Sequence, residues 1–319
     1  MIDRRLTVLR MLAEKGTVTA TAQALSYTPS AVSHQLKTLS DDVGVALVEQ
    51  RGRTLRFTAA GLLLLQHAHE LRTRWEEMRG QVLQAGDAVR DPSLTLCGFS
   101  TAAGSLLPAA ASAVGRAFPG GKVTIVEADP VECFELLLAE RADVAVVVAT
   151  DPLPARNDQR FLQYDLLKDP LDLLVPASHP LASRESVALI DAAEEPWIMD
   201  RPGSTYHGLV LAACSAAGFR PRETHISREW ETGAALVSAG LGVSLVPRLA
   251  RLPAGHDVVR VPLTGDPVPS RRILSGIRRG SEARPMVDAA LTALGDAARA
   301  IEAGRGEMGH PGPVTTSIT

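Results

Sequence analysis

The chain has 319 residues, 45% of them hydrophobic, and a net charge of −3, so it has room for two or three globular domains. No stretch of about 18 apolar residues occurs, which excludes an obvious membrane-spanning helix. The sequence contains no P-loop, G-x-S-x-G, H-E-x-x-H or C-x-x-C motif, so we expect no enzyme activity, no metal site and no cofactor.

The first 58 residues are basic although the whole chain is acidic. They carry eight Lys and Arg against five Asp and Glu, a net charge of +3 that leaves −6 on the remainder. A basic head on an acidic body is compatible with a DNA-binding module joined to a domain with another task. Residues 1–12 predict an amphipathic helix rather than a signal peptide, so we expect a cytoplasmic protein.

Residues 28–39 predict a short helix suited to a DNA major groove. Thr28 can cap this helix, and Pro29 fits its first turn. The apolar residues that would face inward at helical spacing are Val32, Leu36 and Leu39. The residues that would point outward, with donors for phosphates and base edges, are Ser30, Ser33, His34 and Lys37. Together with a preceding short helix, the segment predicts a helix-turn-helix over about residues 18–37.

A small hairpin is expected after this recognition helix. Residues 46–49 and 55–57 could pair and leave Arg51, Gly52 and Arg53 at the tip. Such a wing would carry Arg51 and Arg53 to flanking phosphates or to the minor groove. The alternative is that these are ordinary solvated arginines on a turn.

Thr58 is expected to cap a long helix that runs to about residue 88. Its apolar residues recur at spacings of four and three, as in a heptad repeat: Leu64, Ala68, Leu71, Trp75, Met78, Val82 and Ala85. Such a seam packs against an identical helix or against the body of its own chain. We favour the dimer, because a two-fold symmetric reader of DNA gains a second half-site. The charged residues expected on solvated flanks are Arg72, Arg74, Glu76 and Glu77.

In this region the chain resembles the LysR-type transcriptional regulators, and the resemblance extends over nearly the whole sequence. The residues that carry it are Ala22, Leu25, Ser33, Gln35, Leu39, Leu47, Glu49, Arg51, Thr58, Ala60 and Gly61. The chain departs from the family where Pro29-Ser30 replaces a common Gln-Pro and where His34 replaces a frequent Arg.

The resemblance implies a regulator that binds a double-stranded DNA operator and responds to a small-molecule effector, such as an organic acid or another small metabolite. It also implies dimerisation through the long helix, assembly into a homotetramer, and RNA polymerase as a further partner. The implied fold is α/β, with a winged helix-turn-helix domain and an effector domain of two Rossmann-like subdomains resembling type 2 periplasmic binding proteins.

Beyond a hinge near residues 86–92, strand and helix patterns alternate as in βαβ units. The expected domains are a DNA-binding domain over 1–58, a linker helix over 59–88 and an effector domain over 92–303. By resemblance, subdomain I takes 92–165 and 271–303, and subdomain II takes 166–270. Residues from about 304 have no periodicity and are expected to be disordered.

Two loops at the carboxyl ends of predicted strands could bind an anionic effector, because each precedes a helix N-terminus. The loop residues are Ser100 and Thr101 in the first, and Gly203, Ser204 and Thr205 in the second. The alternative is that these hydroxyls only cap their own helices. In the family, the turn that holds Gly242 and Val243 borders the effector pocket. Since aromatic residues total only 4%, a pocket lined by stacked rings is not expected.

Two further alternatives concern the function. Some members of the family sense oxidants through cysteines, and Cys97, Cys133 or Cys214 could do so here, although buried structural thiols are the better interpretation. A small-molecule-binding protein or an enzyme of the same α/β fold is the other alternative. The basic N-terminal module is evidence against it.

Overall fold

The computed structural model describes residues 3–51, 54–86, 92–150 and 153–307. The chain forms two compact units. Unit 1 comprises Met1–Val147, Leu153–Tyr164 and Leu274–Thr319, and unit 2 comprises Val148–Pro152 and Asp165–Ile273. Unit 1 therefore contains the N-terminal head, the long helix and most of the predicted subdomain I.

The head of unit 1 consists of three helices and a two-stranded antiparallel hairpin. Their bounds are α1 Arg4–Lys15, α2 Val18–Leu25, α3 Pro29–Val43, β1 Val48–Arg51 and β2 Thr54–Phe57. The side chains that cap the helices are those of Asp3, Thr17 and Thr28. Helix α3 is longer than predicted, because it continues to Val43 and ends at Gly44 in the left-handed conformation.

The long helix α4, Ala59–Ala85, is fixed to the head at its first turn. The hydroxyl of Thr58 accepts from the Gly61 N–H and donates to the Ala46 carbonyl at 2.7 Å. Residue 61 has to be glycine, since a Cβ there would lie 1.9 Å from the Leu47 carbonyl oxygen. This contact sets the direction in which α4 leaves the head.

The body of unit 1 is an α/β layer with parallel strands. Its elements include β3 Ser93–Gly98, α5 Ser100–Ser105, α6 Leu107–Ala117, β4 Lys122–Glu127, α7 Pro130–Leu138 and β5 Val144–Val148. Strand β3 pairs in parallel with β4 on one side and with β5 on the other. Every residue of β5 is buried, as in a strand covered on both faces.

Unit 2 has a second α/β arrangement, and the strands β6 and β12 contribute residues to both units. The elements are β6 Phe161–Pro176, β7 Val187–Ala188, β8 Pro196–Met199, α8 Thr205–Ala216, β9 Arg222–Ile226, α9 Trp230–Ser238, β10 Ser244–Pro247, β11 Val258–Thr264 and β12 Ser270–Arg278. Strands β10 and β11 run antiparallel to β6, and β8 pairs in parallel with β9. Trp197 is fully buried at the centre of this core.

The last helix of the chain, α10, corrects one expectation. It spans Pro285–Glu307 and so includes the first residues of the segment predicted to be disordered from about Gly304. Residues 308–319 lie outside the described part of the chain. Within the described residues, no helix combines the length and the apolar character needed to cross a bilayer.

Candidate DNA interface and effector pocket

The outer face of α3 carries the residues predicted to contact DNA. Those that are exposed on it are Thr28, Pro29, Ser30, Ser33, His34 and Lys37. The opposite face holds Val32, Leu36 and Leu39 in the core of the head. Thr28 and Ser30 share a hydrogen bond at 3.0 Å, but the side chains of Ser33, His34 and Lys37 bond to no other described residue. Three polar groups on α3 are therefore not used by the fold.

The hairpin β1–β2 lies beside the recognition helix. Arg51 is exposed at the end of β1, whereas Arg53 and Gly52 lie outside the described residues. A groove of about 650 Å³ runs between the second half of α3 and the hairpin, and both Ser33 and Lys37 line it. The structure thus brings the polar side of α3 and the wing to one surface.

The outer face of α4 carries an exposed apolar strip. Its side chains are Leu71, Met78 and Val82, at 53%, 41% and 70% exposure, and Leu62 and Leu63 are exposed elsewhere on the helix. Of the other predicted heptad residues, Leu64 and Trp75 are partly buried, and Ala68 is buried in the core of the head. The expectation that Ala68 belongs to a dimer seam is corrected, because this residue packs within its own chain.

The inner face of α4 buries charge against the body of unit 1. Glu76 is 0% exposed, so the prediction that it lies on a solvated flank is wrong. Its Oε1 accepts hydrogen bonds from Arg72 and from Arg278 Nε, the latter at 3.1 Å. Arg278 also donates to Asp143 at 3.1 Å, and Arg284 donates to the same carboxylate oxygen at 2.6 Å. These five residues form the charged joint between α4 and the body.

The charged joint shifts the pKa of its members and neighbours. Burial alone would raise the pKa of Glu76, but Arg278 and Arg72 outweigh it and hold this pKa below its ordinary value. The pKa of Asp143 is lowered in the same way, by Arg284 and Arg278 against burial. Nearby on α4, burial and the charge of Arg10 lower the pKa of His69 to about 4. At neutral pH the carboxyls are therefore charged and His69 is neutral.

The predicted effector loops differ in how their hydroxyls are used. Ser204 caps α8, since its Oγ accepts from the His207 N–H at 3.1 Å and donates to Asp200 Oδ2 at 2.7 Å. Ser100 is exposed in the first turn of the six-residue helix α5, and Thr101 beside it is buried. The capping interpretation thus applies to Ser204.

The turn between α9 and β10 holds strands together. Val243 is buried, its N–H donates to the Pro196 carbonyl at 2.8 Å, and its carbonyl accepts from Ile198 at 2.9 Å. Gly242 has a φ of +151°, and a Cβ there would lie 2.4 Å from the Pro196 oxygen. Val243 is occupied by backbone pairing and Gly242 by a close approach to Pro196, and neither is part of the lining of the neighbouring pocket, which includes Ser244.

That pocket lies wholly within unit 2, where β8 and β9 end and α8 and α9 begin. Its volume is about 60 Å³, which is room for a few water-sized groups. Polar and aromatic residues in its lining are Asp200, Tyr206, Ser227, Arg228, Glu229, Trp230 and Ser244. The rings of Tyr206 and Trp230 meet edge to face with their centroids 5.1 Å apart. The two rings meet edge to face and are not stacked, so they do not contradict the prediction that stacked rings would not line the pocket.

Sequence reasoning missed most of this lining. Gly203, Ser204 and Thr205 are absent from it, although Asp200 and Tyr206 flank them. The rule that ligands bind at the carboxyl ends of strands also covers the loop after β9. Applied there, it would have found Ser227 to Trp230.

Comparison with protein families matches one model to the N-terminal head and another to the α/β part of the chain. The model of the bacterial regulatory helix-turn-helix protein, lysR family, matches residues 4–62, and the model of the LysR substrate binding domain matches residues 88–299. The chain belongs to the LysR family. The protein is a DNA-binding transcription regulator with an effector-binding domain, and it is not an enzyme.

Known relatives of this LysR-family regulator align over most of its length. A hydrogen peroxide-inducible genes activator of Dickeya chrysanthemi is 29% identical, over 77% of this chain and 79% of the relative. The DNA-binding transcriptional dual regulator OxyR of Escherichia coli is 28% identical, over 88% and 90%. A full-length OxyR variant from Pseudomonas aeruginosa has the same fold, with a TM-score of 0.62 at 22% identity over 94% of this chain and 95% of that one. As a LysR-family member, the protein binds operator DNA and an effector and forms oligomers.

The three cysteines of this LysR-family regulator are all buried. Cys97 lies against Cys133, with its Sγ 3.8 Å from the Cys133 carbonyl oxygen. The hydrogen bond to Cys133 and burial raise the pKa of Cys97, and burial raises the pKa of Cys214 to about 12. Because the thiolate is the reactive form, these environments disfavour reaction with oxidants.

Proposed function

We propose that α3 and the β1–β2 hairpin form the operator-reading surface. The observation that carries the proposal is the outer face of α3, where Ser33, His34 and Lys37 are exposed and their side chains bond to no other residue that the structure describes. A helix whose one face is buried and whose other face keeps its donors is suited to a major groove.

The residues of this surface have different roles in the proposal. Ser30, Ser33 and Lys37, with Thr28 at the helix start, place α3 on phosphates and bases, and His34 reads a base edge. Pro29 sets the first turn of the helix. Arg51 anchors the wing on flanking phosphate, and Arg53, outside the described residues, keeps its predicted role beside it.

The operator is read by a dimer that forms through the outer face of α4. Leu71, Met78 and Val82 expose a continuous apolar strip in a chain whose family forms oligomers, so a second copy is its occupant. Dimers pair further into a tetramer that works in the cytoplasm and contacts RNA polymerase. Effector binding in unit 2 shifts the geometry of the dimer and thereby its grip on the operator.

The test uses the full-length protein and DNA fragments that the wild type selects from a random library. Replacing Ser33 and Lys37 by Ala should weaken binding strongly and reduce the salt slope of the binding constant by about one for the lost phosphate contact. Lys122→Ala, an exposed charge on β4, is the matched control. Unchanged affinity of the double variant, with thermal unfolding like that of the wild type, would show that α3 is not the reading helix.

The cysteines do not favour redox sensing as a second function. Although relatives include hydrogen peroxide-inducible activators, the cysteines of this chain are buried thiols, and the pKa of Cys97 and of Cys214 is raised. A small molecule held in unit 2 is the signal that the described cavity supports.

A further inference from the structure

The pocket in unit 2 has a chemical bias that bears on the class of effector. Beside the start of α8, where a helix N-terminus would bind an anionic ligand, lies a carboxylate of the chain itself. Asp200 Oδ2 accepts from Ser204 Oγ at 2.7 Å, and its Oδ1 accepts from the Arg201 N–H at 2.6 Å. A ligand carboxylate brought to the start of α8 would meet this negative charge.

The start of α9, the second helix at the pocket, is acidic as well. Glu229 stands at its N-cap position and Glu231 in its first turn. Among the residues that line the pocket, two are acidic, the partly buried Asp200 and the exposed Glu229, and one is basic, the exposed Arg228. The charged side chains at the pocket therefore favour a cation.

The hydroxyl groups of the pocket are oriented as acceptors. Tyr206 donates its O–H to the Leu245 carbonyl at 2.9 Å, and Ser244 donates to the same carbonyl at 3.2 Å. Ser227 donates to the Glu229 carbonyl at 2.9 Å. Each hydroxyl has used its single hydrogen within the chain and offers only lone pairs to a ligand. A ligand that supplies N–H donors satisfies them, and a carboxylate does not.

The aromatic lining of the pocket favours the same class of ligand as the polar groups do. Trp230 lines the pocket, and the face of an indole ring attracts a cation through its quadrupole. With about 60 Å³ available, the pocket has room for a small head group and not for a large molecule. An ammonium group on a short apolar body fits the size, the charge and the acceptors.

We propose that the pocket in unit 2 binds the protonated amino group of a small amine, and that the effector is not recognised there as a carboxylate. This inference rests on the proposed function, because it assigns a ligand class to the effector-binding unit. Asp200 is the main counter-charge, with Glu229 and the face of Trp230 as further contacts.

The test compares three small probes of similar size, ethylamine, ethanol and acetate, by calorimetry on the full-length protein. Ethylamine should bind most tightly and acetate should not bind in the pocket. Asp200→Asn keeps an oxygen for Ser204 and should weaken ethylamine binding by about tenfold, as the loss of a charge-assisted hydrogen bond does. Glu185→Gln, an exposed residue of unit 2, removes the same charge and should change nothing.

If Asp200→Asn unfolds, Glu229→Gln serves in its place, because the described fold uses the carbonyl of Glu229 and no contact of its carboxylate is seen. The inference is overturned if acetate binds more tightly than ethylamine, if no probe binds, or if both acidic variants bind ethylamine like the wild type. Operator binding by α3 is measured separately, so its failure would reject the proposed function and not the preference for amines.

Discussion

The two faces of α4 invert the usual relation between polarity and exposure. On the inner face Glu76 is completely buried, whereas on the outer face Val82 is 70% exposed. The inner face also carries Gly80, at which a Cβ would lie 2.7 Å from the Cβ of Ala283 in the short turn before α10. The helix therefore packs on its own chain through charge and close backbone approach, and leaves apolar side chains outside.

The difference shows that each face is matched to its partner rather than to water. Glu76 can be buried because Arg72 and Arg278 compensate its charge. Leu71, Met78 and Val82 have no such compensation in a single chain, and exposed apolar strips of this kind belong to interfaces. The inner face packs within the subunit, and the outer face is the one expected to pack against a second copy.

The largest effect is expected from charge on the outer face. Leu71→Glu combined with Met78→Glu places four carboxylates in a dimer interface, and each buried unpaired charge costs several kcal/mol. The double variant should weaken self-association by about a thousandfold or more and elute at the monomer mass in sizing with light scattering. Leu62→Glu, also exposed but on the opposite side of the helix, should remain associated. If the double variant keeps the mass of the wild-type oligomer, α4 does not form the main interface.

The packing of α4 shows which features of this helix the sequence could predict and which it could not. The heptad spacing predicted a long helix capped by Thr58, and the structure has that helix. The spacing could not say which apolar residues face which partner, so Ala68 was assigned to the dimer although it packs in the head. Glu76 was assigned to solvent because its partner Arg278 lies 202 residues further along the chain, beyond the reach of any local pattern.

The candidate sites show the same limit. On α3 the sequence pattern within the helix determines which residues are buried and which are exposed, so the exposed polar residues were predictable. In unit 2 the pocket is formed by three separate segments, and the side chain of Ser204 was already bound to Asp200. Local spacing predicts a single helix face well, whereas a cavity depends on which distant loops the sheet brings together.

A smaller effect is expected on the inner face. Glu76→Gln leaves the guanidinium groups of Arg72 and Arg278 with less compensation inside the protein. Removing one partner of a buried ion pair should lower the free energy of unfolding of unit 1 by about 3 kcal/mol. Denaturant unfolding followed by circular dichroism measures this, with the partly exposed Glu77→Gln as the matched control on the same helix. Equal stability of the two variants would mean that the joint contributes little to the fold.

The smallest effect concerns His69, which lies beside Arg10 near the charged joint. Its pKa is lowered to about 4 in the folded protein, against about 6.5 in an unfolded chain. As the pH falls, the unfolded state therefore takes up a proton before the folded state does. The stability that the neutral His69 ring contributes to the fold is complete above pH 6.5 and is lost as the pH falls towards 4. The loss should be about 1 kcal/mol, because the ring is partly exposed and solvent screens its charge.

His69→Gln should flatten the decline of the melting temperature between pH 6.5 and 4, and His67→Gln, on the exposed side of the helix, should not. Parallel profiles for wild type and His69→Gln would show that the inner face of α4 tolerates a further positive charge.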